Sequence, residues 1–309
     1  MKKILIELPT WLGDSVMTTP AIENLVKYFG DVEIILLGSF ISIKAIKDHP
    51  KVTESYILDK NYFNLYKSIK SLGKFDLFLS FRSSLRSRFI KLLILSKRKY
   101  QFDKNKFTEG HQVEKYNNFV NSVLNINSIP GKLKLKYQKR TRLSNKKLLG
   151  INPGASYGSA KRWYPEKFAA VAVDLSNNYD IVILGGRKEK EISSDIEKYL
   201  IEKGIANYQN LSGQTTVDEL TSQIANLDLF ITGDSGPMHL AAAYQIPTVS
   251  IFGPTNDIET SQWINEKSII VKKNLNCQPC MKRVCPLKHH HCMKLIDSLE
   301  VLRAVESLN

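Results

Sequence analysis

Apolar residues along the chain gather into short blocks of β type that alternate with stretches of helical spacing. Lys3 to Leu8, Val32 to Leu37, Val52 to Leu58 and Phe75 to Ser80 read as strands, while Ala21 to Phe29 and Tyr62 to Leu72 have the apolar spacing of helices. The pattern lapses between about Asn127 and Asn145, where Pro130, Gly131 and many lysines suggest a connection. It resumes at Leu148 to Ile151, Asp180 to Leu184, Leu227 to Ile231 and Pro247 to Ile251. Strands alternating with helices predict an α/β chain of parallel sheets with covering helices. Two such sheets in 309 residues, 43% of them hydrophobic, predict two domains side by side with a cleft between them.

Open parallel sheets carry their chemistry at the carboxyl ends of the strands, which directs attention to three loops. After the first strand comes Pro9-Thr-Trp-Leu-Gly-Asp14, which places a carboxylate beyond the strand. Asp14 is either the cap of the next helix or a general base that takes a proton from an attacking hydroxyl. The second loop, 152–165, follows Leu148 to Ile151 and supplies the bendable Gly154 and Gly158, the hydroxyls of Ser156 and Tyr157, and the charge of Lys161. The third, Thr232-Gly-Asp-Ser-Gly-Pro-Met-His239, reads as a strand opening through a tight turn into a helix, with Asp234 or Ser235 as cap and Pro237 in the first turn. Such a turn aims backbone N–H groups and the positive end of a helix at one point, which suits a phosphate. Two loops of this kind could grip one diphosphate.

Charge adds a polarity to this picture. The net charge of +14 is concentrated in the first half: residues 1–149 hold 28 Lys and Arg against 12 Asp and Glu, and residues 150–309 hold 16 against 18. Arg82, Arg86, Arg88, Lys91, Lys97, Arg98 and Lys99 form one dense stretch, suited to a polyanion, an anionic lipid headgroup or a phosphorylated substrate, or else merely a solvated face. The apolar runs near the start are too short for a signal peptide, and no later run is long enough for a membrane span, so a cytosolic protein is expected.

All four cysteines, Cys277, Cys280, Cys285 and Cys292, lie close together beside His289, His290 and His291. Zinc accepts such ligands, yet the spacing matches no common zinc-ribbon form and reduced thiols are a sufficient account. Nor does a loop carry an Asp-x-Asp pair for a nucleotide-bound divalent ion. A reaction without metal or cofactor is expected.

Several segments in combination carry a family resemblance: Gly13-Asp14 with Thr19-Pro20-Ala21, the run from Gly154 to Trp163, the run from Thr232 to His239 with Phe252-Gly-Pro-Thr255, and the run from Cys277 to Pro286 with His289-His-His-Cys-Met293. In these the chain resembles the bacterial ADP-heptose:lipopolysaccharide heptosyltransferases, glycosyltransferase family 9. The cysteine-rich segment is nearest to heptosyltransferase II. Heptosyltransferase I or another ADP-heptose-using transferase is the nearest rival.

The resemblance implies the GT-B architecture, with an acceptor-binding Rossmann-like domain over 1–147, an ADP-sugar-binding one over 148–293, and a closing helix over 294–309 that packs back on the first domain. It implies inverting transfer of heptose from ADP-L-glycero-D-manno-heptose to the first heptose of the lipopolysaccharide inner core. Asp14 then matches the base. Lys161, with Ser156 and Tyr157, matches the diphosphate-holding group, joined by the N–H groups of Ser235 and Gly236. Asp234 turns to sugar hydroxyls. Gly185 and Gly186 pass under the adenosine, Glu189 takes a ribose hydroxyl, and His239 either donates to phosphate or is structural. Arg82, Arg86 and Arg88 receive the phosphates and carboxylates of a lipid A-Kdo-heptose acceptor. The implied protein is a monomer, peripheral at the cytoplasmic face of the inner membrane. A different class, a basic nucleic-acid-binding protein with a Cys/His zinc module, would need a base-reading motif, and the sequence offers none.

Overall fold

The computed structural model describes residues 1–136, 146–154 and 156–308. The chain divides into two compact units, Met1–Lys136 and Tyr137–Asn309. In the first, the elements run β1 (Lys2–Glu7), α1 (Leu12–Met17), α2 (Thr19–Phe29), β2 (Val32–Gly38), α3 (Phe40–Ile46), β3 (Val52–Ile57), α4 (Tyr62–Lys70), β4 (Lys74–Ser80), α5 (Leu85–Leu93), β5 (Leu95–Gln101) and α6 (Gln112–Leu124). In the second they run β6 (Lys147–Asn152), α7 (Pro165–Leu175), β7 (Tyr179–Ile183), α8 (Lys190–Glu202), β8 (Tyr208–Asn210), α9 (Val217–Ala225), β9 (Leu229–Gly233), α10 (Gly236–Ala243), β10 (Thr248–Phe252), α11 (Asp257–Thr260), β11 (Ser268–Lys272), α12 (His291–Lys294) and α13 (Ser298–Glu306).

Each unit is built on one parallel sheet, ordered β3-β2-β1-β4-β5 in the first and β11-β10-β9-β6-β7-β8 in the second. In both sheets the strands leave their first member in one direction and then return to its other side. The strand order therefore reverses between β1 and β4, where Ile4 pairs with Leu77, and between β6 and β9, where Asn152 pairs with Thr232. At such a reversal the flanking loops diverge and open a crevice at the carboxyl ends of the strands.

The central strands are buried along most of their length, from the third residue onward in β1 and β6, which explains their apolar runs; β1 and β2 contribute Ile4, Leu5, Ile6, Ile34, Ile35 and Leu36 to the core. Helices α4 and α5 cover one face of the first sheet through Leu65, Ile69 and Ile90, joined by Ile94 just past the end of α5. In the second unit Trp163 is buried edge-on to Phe168, with ring centroids 4.9 Å apart, and donates from its indole nitrogen to the Ile296 carbonyl.

Lys97, Arg98 and Lys99 of the dense basic stretch lie on β5, an edge strand, where charge discourages pairing with another sheet. Two expected extents differ from the structure. The closing helix does not span 294–309, and α13 buries Val301, Ala304 and Val305 in the second unit's own core, packing against α7 and β11. The division between units falls after Lys136 rather than at 147/148, and Lys134, just before it, is tied to the first unit through the Thr19 hydroxyl and Glu23. Residues 137–145 of the expected connection lie outside the described residues.

Candidate active site

In the second unit, the strand-order reversal brings the loops after β6 and β9 together. Lys161, on a 3₁₀ turn (Ser159–Lys161), forms a 2.6 Å ion pair with Asp234, just beyond β9, and both side chains are about nine-tenths buried. Asp234 also accepts a 2.6 Å hydrogen bond from the Thr255 hydroxyl. A second tie comes from Asn152, whose side-chain amide donates to the Thr232 and Ser235 hydroxyls. Ser235 precedes α10, whose first turn includes Pro237, so the N–H groups there belong to Ser235 and Gly236. Those donors, the helix end and the Lys161 ammonium are the positive features of this site. His239 is buried within α10.

Gly185 and Gly186 form the turn after β7, and Glu189 lies beneath it. The Gly186 N–H donates to Glu189 Oε2 at 2.8 Å. The loops fit tightly here: a Cβ added to Gly154 would fall 2.0 Å from Glu189 Cγ. Glu189 is 5% exposed, and among the described residues its Oε1 has no hydrogen-bond partner. A buried acceptor of this kind is costly unless a donor, such as a ligand hydroxyl, completes it.

The loop bearing Lys161 rests on the cysteine-rich segment. The Tyr157 hydroxyl donates to the Met281 carbonyl, and the Arg283 guanidinium and Lys161 ammonium each lie 5.3 Å from the Tyr157 ring centre. The Ala160 N–H donates to the Arg283 carbonyl, and His290 donates from Nε2 to the Ala160 carbonyl while its Nδ1 accepts the Tyr164 hydroxyl. Gly158 permits the approach: a Cβ there would lie 2.2 Å from the Arg283 carbonyl oxygen. Ser156 is exposed on the same loop. The four thiols line one small cavity with Ala160 and Gln278. Burial, reinforced by Cys277, Cys285 and Cys280, pushes the Cys292 thiol up to about 11. Among the described residues, no three His, Cys, Asp or Glu groups are arranged to hold a metal ion.

In the first unit, Asp14 lies in the first turn of α1, after β1, and Trp11 rather than Asp14 occupies the cap position. The loop before it is pinned by the Ser15 hydroxyl, which donates to the Pro9 and Trp11 carbonyls, and by the Ser39 hydroxyl, which donates to the Thr10 carbonyl. Burial, with the Asp14 charge second, drives the Tyr116 hydroxyl well above its ordinary value. Arg82 follows β4, the neighbour of β1, and its guanidinium is 3.5 Å from Glu7, a fully buried carboxylate at the end of β1. Glu7 accepts the Ser80 and Ser87 hydroxyls at 2.6 and 2.8 Å. Arg86 turns to the Asp59 and Lys60 carbonyls and lies over the Tyr62 ring, while Arg88 is exposed.

The model of glycosyltransferase family 9 (heptosyltransferase) matches residues 68–291. The chain belongs to glycosyltransferase family 9. It is a glycosyltransferase, with the two-sheet GT-B fold of that family. A lipooligosaccharide heptosyltransferase 2 of Campylobacter jejuni is 45% identical over 99% of this chain and 98% of its own. Among solved structures, Escherichia coli ADP-heptose lipopolysaccharide heptosyltransferase II aligns with a TM-score of 0.84 at 22% identity, covering 99% of this chain and 98% of that one. Escherichia coli heptosyltransferase WaaC with ADP aligns with a TM-score of 0.79 at 12% identity, covering 99% and 100%.

Within this family member, sequence reasoning located Lys161 and Asp234 but not their pairing. Asp234 was expected to face sugar hydroxyls; the structure gives it Lys161 and Thr255. It assigned no part to Asn152, Thr255, Arg283 or Glu7. The available signals were a polar residue closing an apolar strand, at Asn152 and Glu7, and membership of a quoted motif, at Thr255 and Arg283.

Proposed function

We propose that this glycosyltransferase moves heptose from ADP-heptose to the first heptose of the lipopolysaccharide inner core, with inversion at the anomeric carbon, a reading supported by its similarity to a lipooligosaccharide heptosyltransferase 2 of Campylobacter jejuni and to Escherichia coli ADP-heptose lipopolysaccharide heptosyltransferase II. The observation that carries this reading is the meeting of two phosphate-suited loops at the β6/β9 reversal, joined by Lys161–Asp234 and by Asn152.

In this reading the diphosphate lies against the N–H groups of Ser235 and Gly236 and the Lys161 ammonium, and Glu189 Oε1 accepts a ribose hydroxyl. Asp14 takes the proton of the acceptor hydroxyl as its oxygen bonds to the anomeric carbon. The bond from that carbon to the diphosphate breaks, and ADP leaves with the electron pair, its growing charge met by Lys161 and the α10 N-terminus. Asp234 holds the Lys161 ammonium in place. Arg82 and Arg88 meet phosphates and carboxylates of the acceptor, and Arg86 holds the turn beside them. No described helix is long and apolar enough to cross a membrane, and the enzyme meets its lipid acceptor as a peripheral protein at the cytoplasmic face of an anionic membrane.

The test is incubation with ADP-heptose and a lipopolysaccharide truncated after one heptose, followed by mass spectrometry of the lipid. Gain of a single heptose supports the reading. An acceptor left unmodified, with ADP-heptose intact, contradicts it.

A further inference from the structure

The α4–α5 face of the first unit carries apolar side chains that the fold leaves uncovered. On α4 only Leu65 and Ile69 are buried, while Tyr62, Phe63 and Tyr66 are exposed, Phe63 at 64%. On α5 Leu85 and Leu92 are each 77% exposed, with Arg88 between them on the same helical stripe. The two helices form one surface: Tyr62 meets Phe89 edge-on at 5.6 Å, and Arg86 bridges from α5 to the Asp59 and Lys60 carbonyls ahead of α4. Exposed aromatic and leucine side chains clustered in this way mark an interaction surface rather than ordinary solvent-facing residues.

Charge decides the partner. Lys60, Lys67 and Lys70 are exposed beside these aromatics, with Lys67 Nζ 4.4 Å from the Phe63 ring centre and Lys70 Nζ 5.7 Å from that of Tyr66. Neither α4 nor α5 carries an acidic residue, and the half of the chain they belong to holds the whole basic excess. Aromatic rings flanked by lysines match a bilayer interface, where the rings settle at headgroup depth and the ammonium groups reach lipid phosphates. We propose that the α4–α5 face docks on an anionic phospholipid bilayer, with Phe63, Leu85 and Leu92 entering the interface and Lys67 and Lys70 meeting the headgroups. This deepens the proposed function, resting on it only for the reason a lipid surface is met.

The test is co-sedimentation of the full chain with phosphatidylglycerol-containing phosphatidylcholine vesicles and with pure phosphatidylcholine vesicles, no sugar substrate being present. The wild type should pellet with the anionic vesicles only. Lys67→Gln with Lys70→Gln should weaken binding roughly five-fold per lysine, the equivalent of about 1 kcal/mol each. Phe63→Ser with Leu92→Ser should weaken it comparably. Both variants should keep the wild-type unfolding midpoint, since the side chains changed are exposed. Equal binding of wild type and variants overturns the proposal, as does a wild type that ignores vesicles and instead loses self-association in the Phe63 and Leu92 variant, which would make the face a protein interface. Failure of heptose transfer would overturn the proposed function and leave the vesicle result standing.

Discussion

Lys161 Nζ lies 2.6 Å from Asp234 Oδ2, and this contact joins the loop after β6 to the loop after β9. Breaking a buried pair leaves one charge uncompensated, at a cost of about 3 kcal/mol or more, whereas replacing both partners by apolar groups avoids that penalty. Lys161→Met is therefore expected to lower stability by about 3 kcal/mol in urea unfolding. Lys161→Met combined with Asp234→Leu should recover most of that loss while ADP affinity and heptose transfer stay low. A double variant that regained wild-type turnover would show the pair to be structural alone.

Glu7 gives the first unit a pH dependence whose sign is fixed by its surroundings. Burial raises its carboxyl above the ordinary glutamate value, against the Ser80 and Ser87 hydroxyls and the Arg82 and Arg86 charges, which lower it. The folded protein thus holds this proton more tightly than the unfolded chain. Its contribution is fully present below the unfolded-chain value and is lost as pH rises through the raised folded one. Glu7→Gln should flatten that part of the stability profile in denaturant titrations at a series of pH values. Glu7→Ala, which removes the acceptor of two buried hydroxyls, should destabilise at every pH by roughly 1–3 kcal/mol. Profiles of equal slope for wild type and Glu7→Gln would contradict this assignment.

Cys292 should be the slowest of the four thiols to alkylate. Its value of about 11 leaves little thiolate near neutral pH, and it is 7% exposed, whereas Cys277, Cys280 and Cys285 are half-buried. Timed iodoacetamide labelling with peptide mass spectrometry should show the other three modified first. Modification of Cys292 ahead of them would mean that its thiol is more accessible than its packing allows.

Much of this architecture was legible in the chain. The central strands β1, β2, β6 and β9 announce themselves because burial on both faces demands unbroken apolar runs. The edge strand β5 did not, unlike β3 at the opposite edge: it reads Leu-Ser-Lys-Arg-Lys-Tyr-Gln and passes for a basic cluster, since an edge strand can carry charge in place of an apolar run. The loops after β1, β6 and β9 were found because strand, glycine and helix start follow one another in sequence. Their partners were not, because the contacts of Asp234 with Lys161, Ser235 with Asn152 and Glu7 with Ser80, Ser87 and Arg82 join residues distant along the chain. No local pattern encodes those pairings. They follow from which strands become neighbours where the sheet order reverses.

The measurement closest to the central claim is the transfer rate of Asp14→Asn with ADP-heptose and a one-heptose lipopolysaccharide, taken alongside calorimetric ADP binding. The account predicts that the wild type adds one heptose, and that the variant binds ADP with unchanged affinity yet transfers heptose at least a hundred-fold more slowly, at the lower end of what a positioned base contributes (roughly 10²–10⁴-fold). Wild-type turnover in the variant would contradict it.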